Sequence, residues 1–259
     1  MTYNDRNGFI NTCASVFSQS LDAGLFEHLV IDGASIDGTP EWYRINRPTT
    51  GNFLLVSEPD KGIYDAMNKG IALASGDYIC FLNAGDVLLE TTVLEFVAVQ
   101  LSAQNPDWAY GLARVVDETG RPVRKNVGIV PYSRRKHLLS RSVICHQSVW
   151  MRRSVLEALL GFDESFGTAA DYHLLLRAGQ VSEPASWNRV LVDFLTGGVS
   201  DSGVYRHIFR RHKARVSVMK YGRLRNLLDL IWTGGQAAYI CFRQNMRRAV
   251  DALLHTGNR

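Results

Sequence analysis

The segment from Gly62 to Asp86 combines a helix-forming pattern, a turn and a short apolar strand that ends in polar residues. Apolar side chains recur at helical spacing from Ile63 to Ala74, and a Ser-Gly pair then predicts the end of the helix. The run Tyr78 to Leu82 is typical of a strand buried in a parallel sheet. Asn83 and Asp86 follow its carboxyl end, where open α/β sheets bind ligands. An ordinary turn also uses Asn, Gly and Asp, so the binding and structural interpretations are both open at this point.

The same arrangement occurs earlier in the chain. Phe26 to Ile31 is a second short apolar strand, and Asp32 comes directly after it, ahead of a predicted helix. Asp32 is a candidate acceptor for a hydrogen bond from a base or a ribose, whereas helix capping explains Asp37 and Thr39 as well as ligand binding does. Strands that alternate with helices predict an α/β fold with a mostly parallel sheet, in which Asp32 and Asn83 lie at strand ends.

These residues carry a resemblance to a known family. The segment from Glu27 to Thr39 resembles the nucleotide-binding signature of family 2 glycosyltransferases. The segment from Asp60 to Gly70 is similar to the branch that builds bacterial exopolysaccharides and glycolipids of the cell envelope, including colanic-acid-type transferases. The similarity extends from Thr2 to about Gly203, and it implies a Rossmann-like GT-A fold, a nucleotide-sugar donor and a divalent metal. By the same resemblance, the residues that bind the nucleotide-sugar are Thr2, Tyr3, Asn4, Asp32, Asp60, Lys61, Asn68 and Asn83.

The loop at residues 83–86 departs from the family's pattern. The family's metal motif is Asp-x-Asp, and many members read Asp-Ala-Asp-Asp or Asn-Ala-Asp-Asp, whereas this chain reads Asn83-Ala84-Gly85-Asp86. Gly85 has no side chain that could bind a metal. Either Asp86 takes the ligand role from one position later, or metal binding is weak. With Asp86 as the ligand, the resemblance predicts Mg²⁺ or Mn²⁺ as the cofactor.

The start of the chain is a second departure. Family members open with a buried strand that ends in a tripeptide like Thr2-Tyr3-Asn4, and here only Met1 precedes that tripeptide. The sequence therefore predicts that the first strand is missing or truncated. Since this strand would be central in the sheet, its loss would cost several kcal/mol, which is comparable with a domain's total stability of roughly 5–15 kcal/mol. We expect either that the true start lies upstream or that this copy is compromised.

Motifs in the middle of the chain carry the predicted chemistry. The segment from Ile144 to Arg153 resembles the family's His-Gln strand ahead of a helix, which places His146 and Gln147 on the acceptor or donor-sugar side. Asp171 opens a predicted helix, and in the family the matching acid is the general base that deprotonates the acceptor hydroxyl. An N-cap would also explain an Asp at this position, and the two roles are compatible.

The C-terminal residues differ in charge from the rest of the chain. Residues 201–259 hold 12 Lys and Arg against 3 Asp and Glu, whereas residues 1–200 hold 17 against 22, so the net charges are +9 and −5. We therefore expect a GT-A domain at residues 1–203 and a basic helical tail at residues 204–259. Apolar residues at helical spacing among cations are typical of a helix on an anionic membrane surface. The alternative is that the apolar stripe packs on the body and the cations form a solvated face.

Composition excludes several other classes of protein. The chain has no run of 18 or more apolar residues, and its four cysteines lack the spacing of a zinc site or a disulfide framework. The tail's aromatic residues lie on the apolar stripe and not between the cations, so we expect no nucleic-acid partner. These features predict a cytoplasmic protein that lies peripherally on the inner face of the cell membrane.

The patterns together predict an inverting, metal-assisted glycosyltransferase. It would move a sugar from a UDP- or GDP-sugar to the hydroxyl of a lipid-linked or saccharide acceptor. Inversion is expected because a single displacement needs one base, and no second carboxylate is clearly placed as a nucleophile. Two alternatives stay open. Gly85 and the missing strand favour an inactive, membrane-associated transferase-like scaffold. A nucleotidyltransferase should have a Gly-rich basic loop after its first strand, and this sequence shows none.

Overall fold

The computed structural model describes residues 1–139, 143–196 and 204–256, and their side chains except at residues 204–205, 243–245 and 247–256. Within these ranges the chain forms nine α-helices and seven β-strands, so the predicted α/β class is confirmed. The predicted boundary near residues 197–203 lies outside the described residues.

The order of the elements follows the predicted alternation for the first half of the chain. The helices are α1 (Arg6–Phe17), α2 (Thr39–Asn46), α3 (Ile63–Leu73), α4 (Val93–Gln104), α5 (Arg134–Leu138), α6 (Arg153–Ala158), α7 (Ala170–Val181), α8 (Val204–Met219) and α9 (Arg223–Thr256). The strands are β1 (Glu27–Asp32), β2 (Asn52–Ser57), β3 (Tyr78–Ile79), β4 (Val87–Leu88), β5 (Trp108–Val116), β6 (Val149–Arg152) and β7 (Ala185–Leu195). Two 3-10 helices cover His146–Ser148 and Glu164–Ala169.

The strands form two sheets with mixed directions. β1 and β2 pair in parallel, with Asp32 opposite Ser57. The second sheet has the order β3-β6-β5-β7-β4, in which β5 and β7 are parallel and the other three pairings are antiparallel. The prediction of a mostly parallel sheet is therefore wrong in this half. A parallel connection needs a crossover helix, and of the described residues between β5 and β6 only Arg134–Leu138 are α-helical.

Residues 1–2 lie between the two sheets. Thr2 forms a parallel bridge with Asp32, and the Gly33 N–H donates to the Thr2 carbonyl oxygen at 3.0 Å. On the other side, the Ala84 N–H donates to the Met1 carbonyl oxygen at 2.9 Å. The end of β1 and the loop at residues 83–86 are therefore held side by side along one edge.

The largest core cluster positions the start of α7. It joins apolar residues of α3, β5 and α7, among them Met67, Ile71, Trp108, Tyr110, Leu174 and Leu175. Ala170 and Tyr172, on either side of Asp171, are buried in the same cluster. Packing of the two neighbours thus fixes where the Asp171 side chain emerges.

The two tail helices pack in different ways. α8 lies against α7 and the 3-10 helix at residues 164–169, where its Ile208 and Ala214 are buried. α9 pairs with α8 through Asp229, whose Oδ1 accepts a hydrogen bond from Arg215 Nε at 2.9 Å. Because both side chains of this ion pair are buried, removing one partner would cost about 3–5 kcal/mol.

α9 turns polar residues inward and apolar residues outward. Its inner face contains the buried residues Asp229, Thr233 and Ala237. The outer face is apolar and exposed, and it contains Leu224, Leu227, Leu228, Ile231, Tyr239, Phe242 and Met246. Packing on the body, the alternative left open for the tail, therefore describes α8 but not α9. None of the helices in the described part of the chain is long and apolar enough to cross a membrane.

Candidate active site

Three buried polar atoms without partners meet at the strand edge. Asp32 is 0% exposed, and its Oδ2 accepts hydrogen bonds from Ser57 Oγ at 2.6 Å and the Ser35 N–H at 3.0 Å. Its Oδ1 has no partner among the described residues, and neither do Thr2 Oγ1 and Asn83 Oδ1. An unpaired buried polar atom costs about 1–3 kcal/mol. Three of them at adjacent chain segments indicate a site for a ligand rich in hydroxyl and amide groups.

Gly33 brings two more of the predicted residues to this edge. A Cβ atom on Gly33 would lie 2.7 Å from Asp60 Oδ2 and 3.1 Å from Tyr3 Cδ2, so both side chains approach the bare backbone. Tyr3 is 65% exposed, which leaves its ring free to cover a flat base. Lys61 follows Asp60 as an exposed residue, and its N–H donates to Asp65 Oδ2 at 3.0 Å.

Asn4 and Asn68, two of the predicted nucleotide-sugar contacts, form hydrogen bonds within the protein. The Asn4 N–H donates to Ser35 Oγ at 2.7 Å, and Asn4 Oδ1 accepts from the Ile36 N–H at 2.9 Å, which holds the loop after β1. Asn68 Nδ2 donates to the Phe162 carbonyl oxygen at 2.9 Å, and Asn68 Oδ1 accepts from the Phe162 N–H at 2.8 Å. Since both ends of the Asn68 amide bond the backbone before α7, we assign it to positioning that segment.

Asp86 and Gln147 bind each other in the interior. Asp86 is 3% exposed, its Oδ2 accepts from Gln147 Nε2 at 2.9 Å, and its Oδ1 accepts from the Leu195 N–H at 3.1 Å. Burial raises the pKa of Asp86 more than these hydrogen bonds lower it. Gln147 is buried as well, and its side-chain amide supports Asp86.

The loop does not fit the divalent ion that the resemblance implied. Mg²⁺ needs free oxygen ligands, of which carboxylates are the usual protein source. Both Asp86 oxygens already accept hydrogen bonds, and Gly85 offers no side chain. In the described part of the chain, no group of three or more His, Cys, Asp or Glu side chains is arranged to hold a metal. Asp86 as the main metal ligand is therefore not supported by the geometry.

Gly85 is required by the loop for backbone reasons. Its φ is +92°, and a Cβ atom would lie 2.9 Å from Leu195 Cδ2. The Gly85 N–H donates to Thr12 Oγ1 at 3.0 Å, and that hydroxyl donates to the Asp86 carbonyl oxygen at 2.8 Å. The residue that distinguishes this loop from Asp-x-Asp thus fills a position that side chains do not fit.

We expect Gly85→Asp, which restores the family's acid, to destabilise the fold by about 1–3 kcal/mol without creating a metal site. Thermal melting with and without Mn²⁺ measures both effects. Gly120→Asp is the matched control, because Gly120 has a φ of +78° but a Cβ there would meet nothing within 4 Å. A Gly85→Asp variant that melts like the wild type and gains stability with Mn²⁺ would contradict this interpretation.

A polar chain connects the strand edge to Asp171. Asn83 Nδ2 lies 3.5 Å from His146 Nε2, and His146 Nδ1 lies 3.3 Å from Asp171 Oδ2. An ionised Asp171 accepts from a protonated Nδ1, so Nε2 is left to accept from the Asn83 amide. This assignment leaves Asn83 Oδ1 as the free acceptor. The side chains of His146 and Asp171 are 15% and 20% exposed, so both are accessible.

Asp171 is not the N-cap of its helix. It is the second residue of α7, and the cap position is Ala169, which forms no side-chain cap hydrogen bond. Burial alone would raise the pKa of Asp171, but the hydrogen bond and charge of His146, the charge of Arg211 and the Tyr172 N–H outweigh it. They hold the pKa at about 2. The carboxylate is therefore ionised at neutral pH and able to accept a proton.

His146→Leu should move the acid limb of the activity profile to a higher pH. The wild-type carboxylate loses its basic form only as the pH falls towards about 2. Without the imidazole, burial dominates and the Asp171 pKa rises, so we expect kcat/KM to start falling about one pH unit or more higher. His146→Gln retains an amide donor and should shift the limb less. An unmoved limb in His146→Leu would show that His146 does not hold Asp171 ionised.

The structure also identifies site residues that sequence reasoning missed. Ser57 ends β2 opposite Asp32, so the register of two parallel strands was a usable signal for it. Thr12 supports the loop at residues 83–86 from the middle of α1, where nothing in its helical spacing distinguishes it. Arg211 of α8 influences the pKa of Asp171, although the tail was predicted to be a separate unit.

Comparisons with known proteins identify the family of the chain. Residues 1–160 match the model of the family described as "Glycosyl transferase family 2". An uncharacterized glycosyltransferase of Mycobacterium tuberculosis is 37% identical over 202 residues, which cover 77% of this chain and 74% of the relative. A PGL/p-HBAD biosynthesis glycosyltransferase of Mycobacterium bovis is 31% identical over 195 residues, which cover 73% of each chain.

Solved structures share the fold at low sequence identity. Staphylococcus aureus TarS 1-349 in complex with UDP-GlcNAc superimposes with a TM-score of 0.64 at 16% identity, covering 83% of this chain and 64% of the TarS 1-349 chain. The chain thus spans less than two thirds of TarS. A mannosyltransferase from Pyrobaculum calidifontis, in complex with GDP-Man and Mn²⁺, has a TM-score of 0.63 at 16% identity, covering 98% of this chain and 78% of that one. These similarities confirm the GT-A fold expected from the motifs.

Proposed function

The chain belongs to glycosyl transferase family 2 and is a glycosyltransferase, and we propose that it uses a nucleoside diphosphate sugar to glycosylate an acceptor hydroxyl with inversion. The observation that carries the proposal is the continuous polar path from the strand edge to Asp171. One end has unpaired acceptors for a nucleoside, and the other has an ionised carboxylate held by His146. The solved relatives with UDP-GlcNAc and GDP-Man support the donor class but do not choose between the bases.

In the proposed mechanism, the nucleoside lies over Asp32, Thr2 and Asn83, with Tyr3 beside the base. Asp171 takes the proton from the acceptor hydroxyl, and that oxygen attacks the anomeric carbon as the diphosphate leaves from the opposite face. His146 keeps Asp171 ionised and oriented through its Nδ1–H. Asp86 is unsuited to be a second nucleophile because both of its oxygens are bonded inside the protein, which supports a single inverting displacement.

We further propose that the acceptor is lipid-linked and that α9 holds the enzyme on an anionic membrane face. The support is the outward apolar face of α9 together with the exposed cations Lys220, Arg223 and Arg225 at its start. Each cation near anionic lipid contributes about 1 kcal/mol. Burial of exposed Leu and Ile side chains adds a further apolar contribution. The cytoplasmic leaflet and the cell-envelope pathway predicted from the family resemblance stay within this proposal.

Donor binding and hydrolysis by the purified full-length protein test the proposal. We expect UDP or GDP to bind in calorimetry, and UDP- or GDP-sugars to be hydrolysed slowly without acceptor. Asp32→Asn should weaken nucleotide binding by about 10–100-fold, because hydrogen bonds to a charged group contribute about 1.5–3 kcal/mol. Asp22→Asn, at a loop carboxylate whose Oδ1 accepts only from the Gly24 N–H, is the control.

The outcomes also separate the two alternatives. An inactive scaffold would show neither hydrolysis nor a loss of nucleotide affinity in Asp32→Asn. A nucleotidyltransferase would release pyrophosphate from a nucleoside triphosphate, whereas a glycosyltransferase releases free sugar and a nucleoside diphosphate from its donor. Detection of pyrophosphate would overturn the proposed reaction.

A further inference from the structure

Helix α8 places a group of unpaired cations against the segment that leads into Asp171. Arg210 Nη1 donates to Thr168 Oγ1 at 3.1 Å, and Lys213 Nζ lies 3.4 Å from the Ser165 carbonyl oxygen. Arg211 lies over the Tyr172 ring, with its guanidinium carbon 5.0 Å from the ring centroid. In the described part of the chain, none of these three cations forms an ion pair with a carboxylate. Other arginines of the protein do, as Arg114 does with Asp193 at 2.6 Å.

Arg211 is the α8 cation whose charge helps to lower the pKa of Asp171. Its Nε is shielded from solvent and bonded to no described group. Burial lowers the Arg211 pKa, while the charge of Asp171 opposes that change, so the two groups lie within electrostatic reach without forming an ion pair. An N–H that is shielded from solvent and unpaired costs free energy unless an acceptor, such as an anion, completes it.

Thr168 organises the neighbouring donors. Its hydroxyl accepts from Arg210 Nη1 at 3.1 Å and also lies 3.1 Å from His207 Nδ1. The pKa of His207 is lowered to about 4 by burial and by the nearby Arg211, so the ring is neutral at pH 7 and one of its two nitrogens carries an N–H. Gly167 lets Arg210 approach, because a Cβ there would lie 2.7 Å from the guanidinium carbon. The segment thus assembles N–H donors from three side chains of α8.

We infer that Arg211, with Arg210 and His207 beside it, binds a phosphate-type oxyanion at the start of α7. Guanidinium groups match phosphate oxygens in geometry and charge. The inference rests on the proposed function, which supplies such an oxyanion as the leaving diphosphate. At the loop of residues 83–86, both Asp86 oxygens accept hydrogen bonds, so no free carboxylate is available for a metal that would neutralise the diphosphate charge. The Arg211 guanidinium supplies positive charge in place of that metal. A phosphate carried by a lipid-linked acceptor has the same chemistry, and the experiment distinguishes the two sources.

Calorimetry of UDP and GDP in EDTA tests the diphosphate source. We expect the wild type to bind without added metal, and Arg211→Gln to lose about 10–100-fold in affinity for the diphosphate. Arg211→Lys keeps the positive charge but loses the planar set of guanidinium N–H donors. Its affinity for UDP or GDP should lie between those of the wild type and Arg211→Gln. Lys125→Gln, at an exposed cation in the connection between β5 and β6, is the control and should bind like the wild type. Thermal melting checks that each variant is folded.

The acceptor source is tested with inorganic phosphate as the probe. We expect ³¹P line broadening of phosphate by the wild type saturated with UDP or GDP, lost in Arg211→Gln, if the oxyanion belongs to the acceptor. The inference is overturned if neither nucleotide affinity nor phosphate broadening depends on Arg211. Asp32→Asn keeps the two proposals apart: weaker binding in that variant with no effect of Arg211 overturns only the oxyanion site. A wild type that binds no nucleotide overturns the proposed function, and phosphate broadening then decides the oxyanion site alone.

Discussion

Asp171→Asn should abolish most sugar transfer while leaving donor binding intact. The carboxylate is the accessible end of the polar path, and in the proposed mechanism its ionised form takes the proton from the acceptor hydroxyl. An amide of the same shape keeps the hydrogen bond from the Tyr172 N–H but has no basic oxygen. General-base catalysis contributes about 10²–10⁴-fold, so we expect transfer to fall by at least about 100-fold. Product formation and calorimetry with UDP or GDP measure the two effects separately.

Glu164→Gln is the matched control for this prediction. Glu164 is an exposed carboxylate in the 3-10 helix just before α7, so its amide variant makes the same chemical change outside the polar path. It should transfer sugar at the wild-type rate. If Asp171→Asn transfers sugar at nearly the wild-type rate, Asp171 is not the general base. A parallel loss of nucleotide affinity would instead assign it to donor binding.

The parts of the site that follow strand ends were predictable from the sequence. An apolar run that stops at an acid or amide marks the carboxyl edge of a sheet, and Asp32 is indeed the last residue of β1. β3 ends at Ile79, short of the predicted Leu82, and Asn83 lies in the loop beyond it. The family resemblance likewise placed Asp171 at the start of a helix, and it is the second residue of α7. These inferences succeeded because strand and helix periodicities are local, and the side chains that matter lie at the ends of the elements.

Whether the Asp86 side chain points outward or into the protein could not be predicted from such patterns. A short loop has the same composition whether its acid points outward to a metal or inward to a partner. Here the partner is Gln147, 61 residues away, and the contact depends on where β6 enters the sheet. Strand direction fails for the same reason, because the antiparallel entry of β6 depends on a long connection and not on its own four residues.

The tail shows a third kind of limit. Helical spacing identified apolar stripes in both α8 and α9, yet one stripe packs on the body and the other is exposed. The difference comes from Asp229 and Thr233, which bond Arg215 across the two helices and thereby turn the polar side of α9 inward. A sequence pattern shows that a helix has two faces, whereas only the contacts with its neighbour decide which face is covered.

The exposed stripe of α9 should bind anionic membranes, and two substitutions on it should release the protein. Leu227 and Ile231 are 54% and 63% exposed on the face opposite Asp229, so Leu227→Ser with Ile231→Ser removes apolar surface without breaking the ion pair that holds the helix. We expect the wild type to sediment with vesicles that contain anionic phospholipid and to bind neutral vesicles weakly. The double variant should partition at least about 10-fold less, since each buried aliphatic side chain contributes roughly 1.5–3 kcal/mol when fully buried.

Salt and a control variant separate this membrane contact from other uses of the stripe. Binding should weaken as salt rises, because charge attraction is screened within about 8 Å at physiological ionic strength. Val99→Ser removes a similarly exposed apolar residue from α4 and should bind vesicles like the wild type. Deleting the tail from residue 204 is a poorer test than these substitutions, because it would uncover the core that Ile208 and Ala214 close and would remove Arg211 from Asp171. If the wild type ignores anionic vesicles at low salt and sediments as a dimer that the double variant dissociates, the stripe is covered by a second copy. The acceptor then need not be a lipid.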